Sequence, residues 1–438
     1  MSSEWQTFQL GEVTKFSSGS TPSKQDPDFW NGEIPWVSAK DMKSFYLSGS
    51  EDKITEQALL EGAKIAKKGS VLLLTRGMTL LNDVPICLLR RDCSFNQDVK
   101  AIQAGSPALT SEYLPYLLLG HKTSLQSLVD LAGHGTGRLA TDLLLSLDVA
   151  LPSPQEQKAI AHILGTLDDK IELNRKTNET LEAMAKALFK SWFVDFDPVR
   201  AKAEGRPSGL PAEISDLFPD SFEDSELGEI PSGWRVAPVG DFVECVGGST
   251  PSTNEPEYWD GGEYFWATPK DLSSLSEPFL LDTAKKITAD GVQRISSGIL
   301  PVGTVLISSR APVGYVAAAC VPVSINQGFI ALKSNGLMSS AYLLNWCLSN
   351  VQQFKDRASG TTFAEISKAA FRPIPLLVPS EQVARSFSDK AQALYERVVS
   401  NMRQSTLLAA TRDALLPKLI SGEIRIPDAE KMLEEVGI

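Results

Sequence analysis

The stretch Gly19-Ser20-Thr21-Pro22-Ser23 occurs again as Gly248-Ser249-Thr250-Pro251-Ser252, at an offset of 229 in the 438-residue chain. The match extends outward from this pentapeptide. Positions 5, 11, 30 and 32 (Trp, Gly, Trp, Gly) recur at 234, 240, 259 and 261, and the Trp-Lys-Asp set at 36, 40 and 41 recurs at 266, 270 and 271. Solenoid repeats are much shorter, at about 20–50 residues. The sequence therefore predicts a duplicated domain.

Bulk composition is that of an ordinary globular protein, with 42% apolar and 22% charged residues. We find no run of about 18 apolar residues that would predict a membrane span, and the first residues lack the pattern of a secretory signal. The five cysteines include no C-x-x-C pair, which favours free thiols in a reducing compartment. A cytoplasmic location is expected.

The net charge of −12 is concentrated in two segments. Residues 195–231 hold ten acidic and three basic residues, and residues 421–438 hold five and two, so these segments carry ten of the twelve net negative charges. The rest of the chain is close to neutral. DNA binding depends on the local charge of a surface rather than on the total, so it is neither excluded nor indicated by the net charge.

Each copy divides into a globular part and a helical part. The globular parts, residues 1–152 and 227–378, contain short apolar runs at 70–74 and 304–307 that read as buried strands. Residues 111–119 and 339–348 read as short helices packed on the sheet. These patterns predict a mixed α/β fold in both copies.

A long helix is predicted over residues 153–197, beginning at the capping box Ser153-Pro154-Gln155-Glu156 and ending before Asp197. Residues at alternating spacings of four and three form a heptad seam whose only polar members are asparagines. The seam contains Ile160, Leu164, Leu167, Ile171, Asn174, Asn178, Leu181, Ala185, Leu188 and Trp192. At about 39 residues, such a helix is roughly 58 Å long.

A second long helix is predicted within residues 379–438, with a poorer seam that stops near Pro417 and Gly422. This seam contains Phe387, Ala391, Leu394, Val398, Asn401, Leu408 and Leu415. One such helix per copy predicts that the two pair, with the asparagines fixing their register. Connectivity predicts an antiparallel coiled coil between two similar domains related by a pseudo-twofold axis, with the acidic residues 198–226 as the return connection.

No catalytic motif is apparent in the chain. There is no G-x-x-x-x-G-K-[ST] phosphate loop, and the three histidines have no metal-ligand spacing. Asp41 with Glu51-Asp52-Lys53 is loosely similar to the acidic set that binds Mg²⁺ in nucleases, but the second copy does not repeat it. The sequence therefore predicts a chain without a catalytic or metal site.

Polar and basic residues that recur in both copies are candidates for nucleic-acid contacts. Loop hydroxyls and strand-end basic groups suit phosphates, and Asn-Gln pairs suit adenine edges. The predicted DNA-binding residues are Ser20, Thr21, Lys40, Arg76, Asn96, Gln97, Thr136, Ser249, Thr250, Lys270, Arg310, Asn326, Gln327 and Thr361. Each has an alternative: a rigid turn, an ordinary surface charge, or an amide that satisfies buried backbone groups. We interpret the tryptophans as core residues.

The whole chain resembles the specificity (S) subunit of type I restriction–modification enzymes. The resemblance is carried by Leu-Gly-Glu-Ile-Pro-Ser-Gly-Trp at 227–234, by the Gly-Ser-Thr-Pro-Ser loops, and by the segments that lead from Trp36 and Trp266 into Lys-Asp. Gln-Glu-Gln at 155–157 with Leu-Asp-Asp-Lys-Ile at 167–171 resembles the start of the family's helix. The runs 192–199 and 412–419 resemble its helix ends.

This resemblance implies a non-catalytic subunit that binds double-stranded DNA. Each globular part is implied to be a target recognition domain that reads one half of a bipartite, asymmetric site, while the helices set the spacer. The implied partners are two modification subunits, which carry S-adenosylmethionine, and restriction subunits, which use ATP and Mg²⁺. The assembled complex is implied to be a site-specific endonuclease and adenine methyltransferase, with no cofactor on this chain.

Two alternatives from other classes are a chain that itself methylates or cuts DNA, and a structural bridging protein with no nucleic-acid role. The first would need an S-adenosylmethionine loop and an Asn/Asp-Pro-Pro-aromatic motif, which the sequence does not contain. The second is separated from the specificity subunit by measuring DNA binding in the presence of the methylase.

Overall fold

The computed structural model describes residues 5–131, 135–334, 337–360 and 364–435. The chain forms two compact units. Unit 1 comprises Met1–Leu173 and Gln404–Ile438, and unit 2 comprises Asn174–Arg403. The boundaries of these units do not coincide with those of the five predicted segments, because one part of each long helix lies in unit 1 and the other in unit 2.

A five-stranded sheet lies in each unit, and its strand order is the same in both. The outermost strand at one edge runs parallel to its neighbour, and the other neighbours are antiparallel. In order across the sheet, the strands of unit 1 are Thr14–Ser18, Val99–Ala104, Val71–Leu74, Ile86–Leu89 and Tyr46–Leu47. Those of unit 2 are Glu244–Val246, Phe329–Lys333, Val305–Ser308, Val316–Ala319 and Phe279–Leu280.

The central strands of these sheets are the two apolar runs that the sequence singled out. Every residue of Val71–Leu74 and of Val305–Ser308 is buried, which is expected of strands covered on both faces. The turns before them use Gly69 and Gly303, both at φ 87°, a conformation that favours glycine. The predicted strands are confirmed.

A second, smaller sheet carries the tryptophan segment of each copy. In unit 1 its strands are Lys53–Ile54, Trp30–Val37, Cys93–Phe95 and Ile65–Ala66, and in unit 2 they are Lys285–Ile287, Tyr264–Ala267 and Val323–Ile325. Unit 1 also has a three-stranded sheet made of Val129–Leu131, Gly137–Leu139 and Arg76–Gly77. In unit 2 the corresponding segments form isolated bridges from Glu365 to Arg310 and to Ser359.

Short strands and helices complete the units. Gln6–Gln9 pairs with Asp148–Leu151, Arg235–Pro238 pairs with Pro375–Val378, and Phe222–Ser225 forms a hairpin with Gly228–Pro231. The two predicted short helices are found at Leu114–Gly120 and Ser340–Ser349. The other short α-helices are Leu10–Val13, Glu56–Leu60, Lys122–Ser127, Thr141–Leu145, Asp197–Ala203, Ala212–Ser215, Val239–Phe242, Pro269–Ser273, Ala289–Gln293, Val351–Asp356 and Lys368–Phe371, and 3-10 helices are found at Pro27–Phe29, Ala39–Asp41, Met78–Leu81 and Pro256–Tyr258.

The long helices are Pro154–Phe193 and Glu381–Ser421, with 40 and 41 residues. The first ends shortly before Phe196, whose φ of 57° is left-handed and cannot continue a right-handed helix. The second continues through Pro417, which removes one hydrogen bond but lies in the last turns, and it ends before Gly422 at φ 73°. A further helix, Ile426–Glu435, occupies part of the tail and was not predicted.

The two long helices pair antiparallel within each unit. In unit 1, Asp168 of the first helix contacts Arg412 of the second. In unit 2, Asn178 of the first helix accepts a hydrogen bond of 2.9 Å from Asn401, and Phe189 lies against Phe387 with ring centroids 5.7 Å apart. As residue numbers rise along one helix they fall along the other. The predicted fold class, two similar α/β domains with two long antiparallel helices, is confirmed.

The helices are part of the core of each unit rather than a separate rod. In unit 1 their leucines pack with the leucines and valines of the five-stranded sheet in one cluster. In unit 2 they pack in an aromatic cluster that includes Phe189, Trp192, Phe193, Tyr342 and Phe387. The heptad seam therefore contacts both the partner helix and the globular domain of the same unit.

Candidate nucleic-acid interface

The Gly-Ser-Thr-Pro-Ser loop is attached to the end of a strand in both units. Ser20 donates its N–H to the carbonyl of Phe95 at 3.0 Å, and Ser249 donates to Ile325 at 3.1 Å. A Cβ at Gly19 would lie 2.1 Å from the carbonyl oxygen of Phe95, so only glycine permits this approach. The repeated glycine is thus explained by a close contact between two backbones.

Side chains of the loop make further internal hydrogen bonds. The hydroxyl of Thr21 donates to the Gln97 Oε1, and that of Thr250 donates to the Gln327 Oε1. The Ser249 hydroxyl donates to the carbonyl of Arg294 at 3.2 Å, and the Ser20 hydroxyl is 3.4 Å from that of Gly62. These hydroxyl groups donate their protons to hydrogen bonds within each unit. In this state they can therefore accept hydrogen bonds from an external ligand but not donate to it.

Asn96 and Asn326 shape the turn that follows the attached strand. The Asn96 Oδ1 accepts the N–H of Asp98 at 3.1 Å, and the Asn326 Oδ1 accepts that of Gly328 at 2.9 Å. Such side-chain turns are a common local use of asparagine. Both amide oxygens therefore satisfy backbone N–H groups. This is one of the two roles that the sequence left open, the other being contact with adenine edges.

The repeated tryptophans hold the loop from the other side. Trp30 Nε1 donates to Ser23 O and Trp259 Nε1 to Ser252 O, both at 2.9 Å. Each of these rings also meets a buried second tryptophan, Trp36 at 5.2 Å and Trp266 at 4.9 Å between centroids, in edge-to-face geometry. This packing supports a structural role for the tryptophans.

Lys40 and Lys270 have the same backbone setting but different neighbours. Lys40 lies 3.1 Å from Glu51 and 3.0 Å from Asp52, and hydrogen bonds to Asp52 and then Glu51 raise the pKa of its ammonium group. Lys270 is exposed and has no ion pair with any residue that the structure describes. The predicted pair of lysines therefore differs in electrostatics.

Arg76 and Arg310 differ in the opposite sense. Arg310 lies 3.7 Å from Glu365, its partner across an isolated bridge. Arg76 is exposed and faces Arg138 in the antiparallel pairing of two short strands. Within the described ranges, neither Arg76 nor Arg138 forms an ion pair.

Two of the four predicted threonines, Thr136 and Thr361, remain to be located. Thr136 is half-buried and lies just before the strand Gly137–Leu139. Thr361 lies outside the described residues. Their assignment as DNA contacts stays a prediction.

The predicted helix seam is largely buried. Its members with under 3% exposure are Ile160, Leu164, Leu167, Asn174, Asn178, Ala185, Trp192, Phe387, Ala391, Val398, Asn401, Leu408 and Leu415. Ile171, Leu181, Leu188 and Leu394 are half-buried. In unit 2 the asparagines contact one another: Asn401 donates to Asn178 at 2.9 Å, and Asn174 Nδ2 donates to the carbonyl of Asn401 at 3.4 Å.

Sequence reasoning missed four charged residues beside the predicted ones: Arg138, Lys285, Lys286 and Glu365. Arg138 corresponds to Glu365 of the other copy and Lys285 to Asp52, so these positions differ in charge, whereas Lys286 corresponds to Lys53. A comparison limited to residues that are identical in the two copies does not find them. A signal was present, because Arg138 follows the repeated Gly135-Thr136 by two residues, where the second copy has no basic residue.

The acidic set that is loosely similar to a nuclease site has structural partners. Asp41 accepts hydrogen bonds from Ser38 and from the Glu51 N–H at 2.9 Å, while Glu51 and Asp52 pair with Lys40. In the parts of the chain that the structure describes, no group of three or more His, Cys, Asp or Glu residues is placed to hold a metal ion. No helix among the described residues is long and apolar enough to cross a bilayer.

The chain is a duplicated α/β protein with two long paired helices, and both copies hold the Gly-Ser-Thr-Pro-Ser loop by the same backbone and tryptophan contacts. The sequence profile of the family described as "Type I restriction modification DNA specificity domain" matches residues 2–183 and 231–388. This is more than half of the chain, and it covers both copies. The chain therefore belongs to the type I restriction–modification DNA specificity family.

Full-length relatives support this assignment. The MjaIX specificity subunit of Methanocaldococcus jannaschii is 28% identical, over 97% of this chain and 94% of the relative. The HindI specificity subunit of Haemophilus influenzae is 25% identical, over 96% of this chain and 100% of the relative. The crystal structure of a type I restriction–modification S subunit from M. genitalium has the same fold, with a TM-score of 0.57, 15% identity and coverage of 95% and 96%.

Proposed function

We propose that this chain is a non-catalytic specificity subunit that recognises a bipartite, asymmetric DNA site, with one half read by each unit. The observation that carries the proposal is the repeated architecture: two five-stranded sheets of the same order, each with its own attached loop and helix pair. A scaffold that both units share, with different surface charges, suits two readers of different sequences. Membership in the DNA specificity family supplies the class of ligand.

The chemistry of the assembled complex is proposed to lie on other chains. Two modification subunits would bring S-adenosylmethionine for adenine methylation, and restriction subunits would bring ATP and Mg²⁺ for cleavage. The relatives are named as specificity subunits, which supports this division of labour. The long helices are the proposed scaffold, because each contributes to both units.

A domain exchange tests the proposed function. Residues 1–152 are replaced by the matching domain of a relative, and the full chain is produced with its own modification subunits. Mapping methylated adenines should show one half-site changed and the other retained. A matched chimera that replaces residues 227–378 should change the other half. A change of both halves in either chimera would contradict the proposal of independent readers.

A second experiment tests the proposal that the helices set the spacer. One heptad is inserted between Leu173 and Asn174 and one between Arg403 and Gln404, which keeps both seams in phase and adds about 10 Å to each helix. At the 3.4 Å rise of B-DNA this is about three base pairs. The complex should lose its original site or move to a longer spacer, with both half-sites unchanged.

The control for this experiment carries the insertion in the first helix only. It puts one half of that helix out of step with its partner and should destabilise the protein, as measured by thermal unfolding. Full methylation of the original motif by the doubly lengthened variant would show that the helices do not set the spacing.

A further inference from the structure

The two units differ in net charge at two equivalent surface regions. Unit 1 is the more positive at the first region, and unit 2 is the more positive at the second. The first place is a cross-strand row. In unit 1, Arg76 and Arg138 are direct partners on antiparallel strands, and Asp130 is the next member of the row. All three are exposed, and no ion pair joins Arg138 to Asp130 or Arg76 to any described residue.

The equivalence of this row in unit 2 is fixed by backbone hydrogen bonds. The N–H of Leu139 donates to Thr75, and that of Ile366 donates to Ser309, both at 2.9 Å. Arg138 therefore corresponds to Glu365, and Arg76 to Arg310. In unit 2 the row contains one 3.7 Å ion pair and an uncharged Ser359, so its net charge is zero, whereas the row of unit 1 is positive.

Two arginines opposite each other on antiparallel strands destabilise the free protein. Directly opposite side chains lie about 4.5–5.5 Å apart at their Cβ atoms, and like charges there are unfavourable. Both arginines are exposed, so their guanidinium groups are accessible from solvent. An anion that approaches this open surface removes the repulsion and gains hydrogen bonds from both guanidinium groups.

The second place is the loop that follows the tryptophan strand. Asp41 accepts the N–H of Glu51 at 2.9 Å, and Asp271 accepts the N–H of Ala284 at 2.8 Å, so these two loops correspond. Glu51-Asp52-Lys53 in unit 1 is thus replaced by Ala284-Lys285-Lys286 in unit 2. With Lys40 and Lys270 included, the net charge is zero in unit 1 and three positive in unit 2.

Neighbouring clefts follow the same difference. In unit 1 the cleft beside Trp30 is lined by Asp26, Asp28 and Glu61, without a basic residue. In unit 2 the cleft beside Trp259 is lined by Lys285 and Lys286 with Asp260. Lys285 Nζ lies 5.5 Å from the Trp259 ring centroid, and Lys286 Nζ lies 4.7 Å from that of Phe265. A phosphate is repelled from the first cleft and attracted to the second.

We propose that the two units hold DNA phosphates with different surfaces: unit 1 with Arg76 and Arg138, and unit 2 with Lys270, Lys285 and Lys286. This inference rests on the proposed DNA-binding function and specifies where each unit contacts the backbone. DNA affinity requires basic groups that are not neutralised within the protein. Each unit has one surface of net positive charge, and the two surfaces are at non-equivalent positions. The loop of unit 1 retains Lys53, the counterpart of Lys286, but it carries no net charge.

The test measures the salt dependence of binding by the full chain, with its modification subunits, to a fluorescent random-sequence duplex. Arg76→Gln with Arg138→Gln, and separately Lys285→Gln with Lys286→Gln, should each lower the slope of log K against log salt by about 2. The equivalent positions are tested without a change of net charge, as Arg310→Gln with Glu365→Gln and Lys40→Gln with Glu51→Gln. These two variants should leave the slope unchanged.

A further control removes two positive charges elsewhere, as Lys186→Gln with Lys390→Gln on exposed helix positions. A slope reduced as much by this control as by the arginine or lysine pairs would overturn the inference, as would unchanged slopes in those pairs. Arg76→Lys with Arg138→Lys should retain the wild-type slope, which separates lost charge from misfolding. If the wild-type complex binds no duplex, the proposed function itself is refuted.

Discussion

Units 1 and 2 share a strand order and a set of backbone attachments, yet their charged contacts differ at the Arg76 and Arg310 strands and at the Lys40 and Lys270 loops. Unit 1 neutralises Lys40 and leaves two arginines facing each other, while unit 2 neutralises Arg310 and leaves three lysines unpaired among the described residues. The attached loop, the tryptophan pair and the glycine contact are the same in both. Duplication thus retained the residues that hold the fold, while those at the surface diverged.

The polar contacts between the two long helices also differ between the units. In unit 1 the buried carboxylate of Asp168 accepts hydrogen bonds from Arg412 Nη1 at 2.5 Å and from the Tyr116 hydroxyl at 3.1 Å. In unit 2 the seam has amide contacts, with Asn401 donating to Asn178 and Asn174 donating to the carbonyl of Asn401. An ionic contact in unit 1 and an amide contact in unit 2 therefore join the two helices, and they respond differently to substitution and to pH.

The largest expected effect in this comparison is that of Arg412→Ala in unit 1. Asp168 is only 4% exposed, and loss of its partner leaves a buried charge uncompensated, at a cost of about 3 kcal/mol. Burial already raises the pKa of Asp168 and Arg412 opposes this, so the variant should raise it further. A carboxyl whose pKa is raised in the folded state makes the folded protein less stable as pH rises. Denaturant unfolding should therefore show a larger loss of stability, relative to the wild type, at pH 8 than at pH 4.

Asp413→Asn is the matched control, because Asp413 also contacts Arg412 but is 64% exposed. It should change stability by less than about 0.5 kcal/mol. An equal loss for both variants, or a loss for Arg412→Ala that does not vary with pH, would show that the ionic contact is not what stabilises this helix segment.

A smaller effect is expected from Asn401→Leu in unit 2. The substitution leaves the buried Asn178 Oδ1 without its donor, which costs about 1–3 kcal/mol. Asn178→Leu with Asn401→Leu removes both polar groups and should recover most of that stability, at the risk of a looser helix register. Thermal unfolding of the single and double variants checks this. A double variant that is as unstable as the sum of the single variants would contradict a direct amide pair.

An exchange of charges between the units should change DNA affinity. Glu51→Ala with Asp52→Lys gives unit 1 the loop charge of unit 2 and should tighten binding to a random-sequence duplex by about tenfold, or ~1.4 kcal/mol. The same pair of changes at Glu223→Ala with Asp224→Lys, in an exposed hairpin, adds equal charge elsewhere. Equal gains at both places would mean that net charge alone, and not the position of the loop, determines affinity.

The smallest expected effect comes from Glu182 on the first long helix. Partial burial, with Glu277 and Glu179 nearby, raises the pKa of Glu182 to about 7. The folded state then binds its proton more tightly than the unfolded state, so stability falls as pH rises from about 4.5 to 7. Glu182→Gln should raise the Tm at pH 8 by about 2 °C and leave it unchanged near pH 4.

Glu396→Gln, an exposed carboxylate on the second long helix, is the control and should give no such pH-dependent gain. A stabilisation by Glu182→Gln that is the same at both pH values would exclude titration of this group as the cause. This prediction sharpens the contrast with Asp168, whose charge has an arginine partner.

Much of the fold was predictable because its signals are local or periodic. The offset of 229 residues predicted the duplication, the heptad spacing predicted both long helices, and the apolar runs predicted the central strands. Two features had no such signal. Ile426–Glu435 forms a helix in a tail without a clear heptad pattern, and the second helix continues through Pro417.

The sequence by itself determined the two copies, their helices and the identity of the recurring polar residues, because periodicity and repetition are properties of the chain. Tertiary structure decided which of those residues are available to a ligand. Lys40 is neutralised by acids eleven and twelve positions away, and Arg310 by Glu365, 55 positions away. Whether a basic residue is paired depends on which segments the fold brings within about 4 Å, and identity at equivalent positions cannot reveal it.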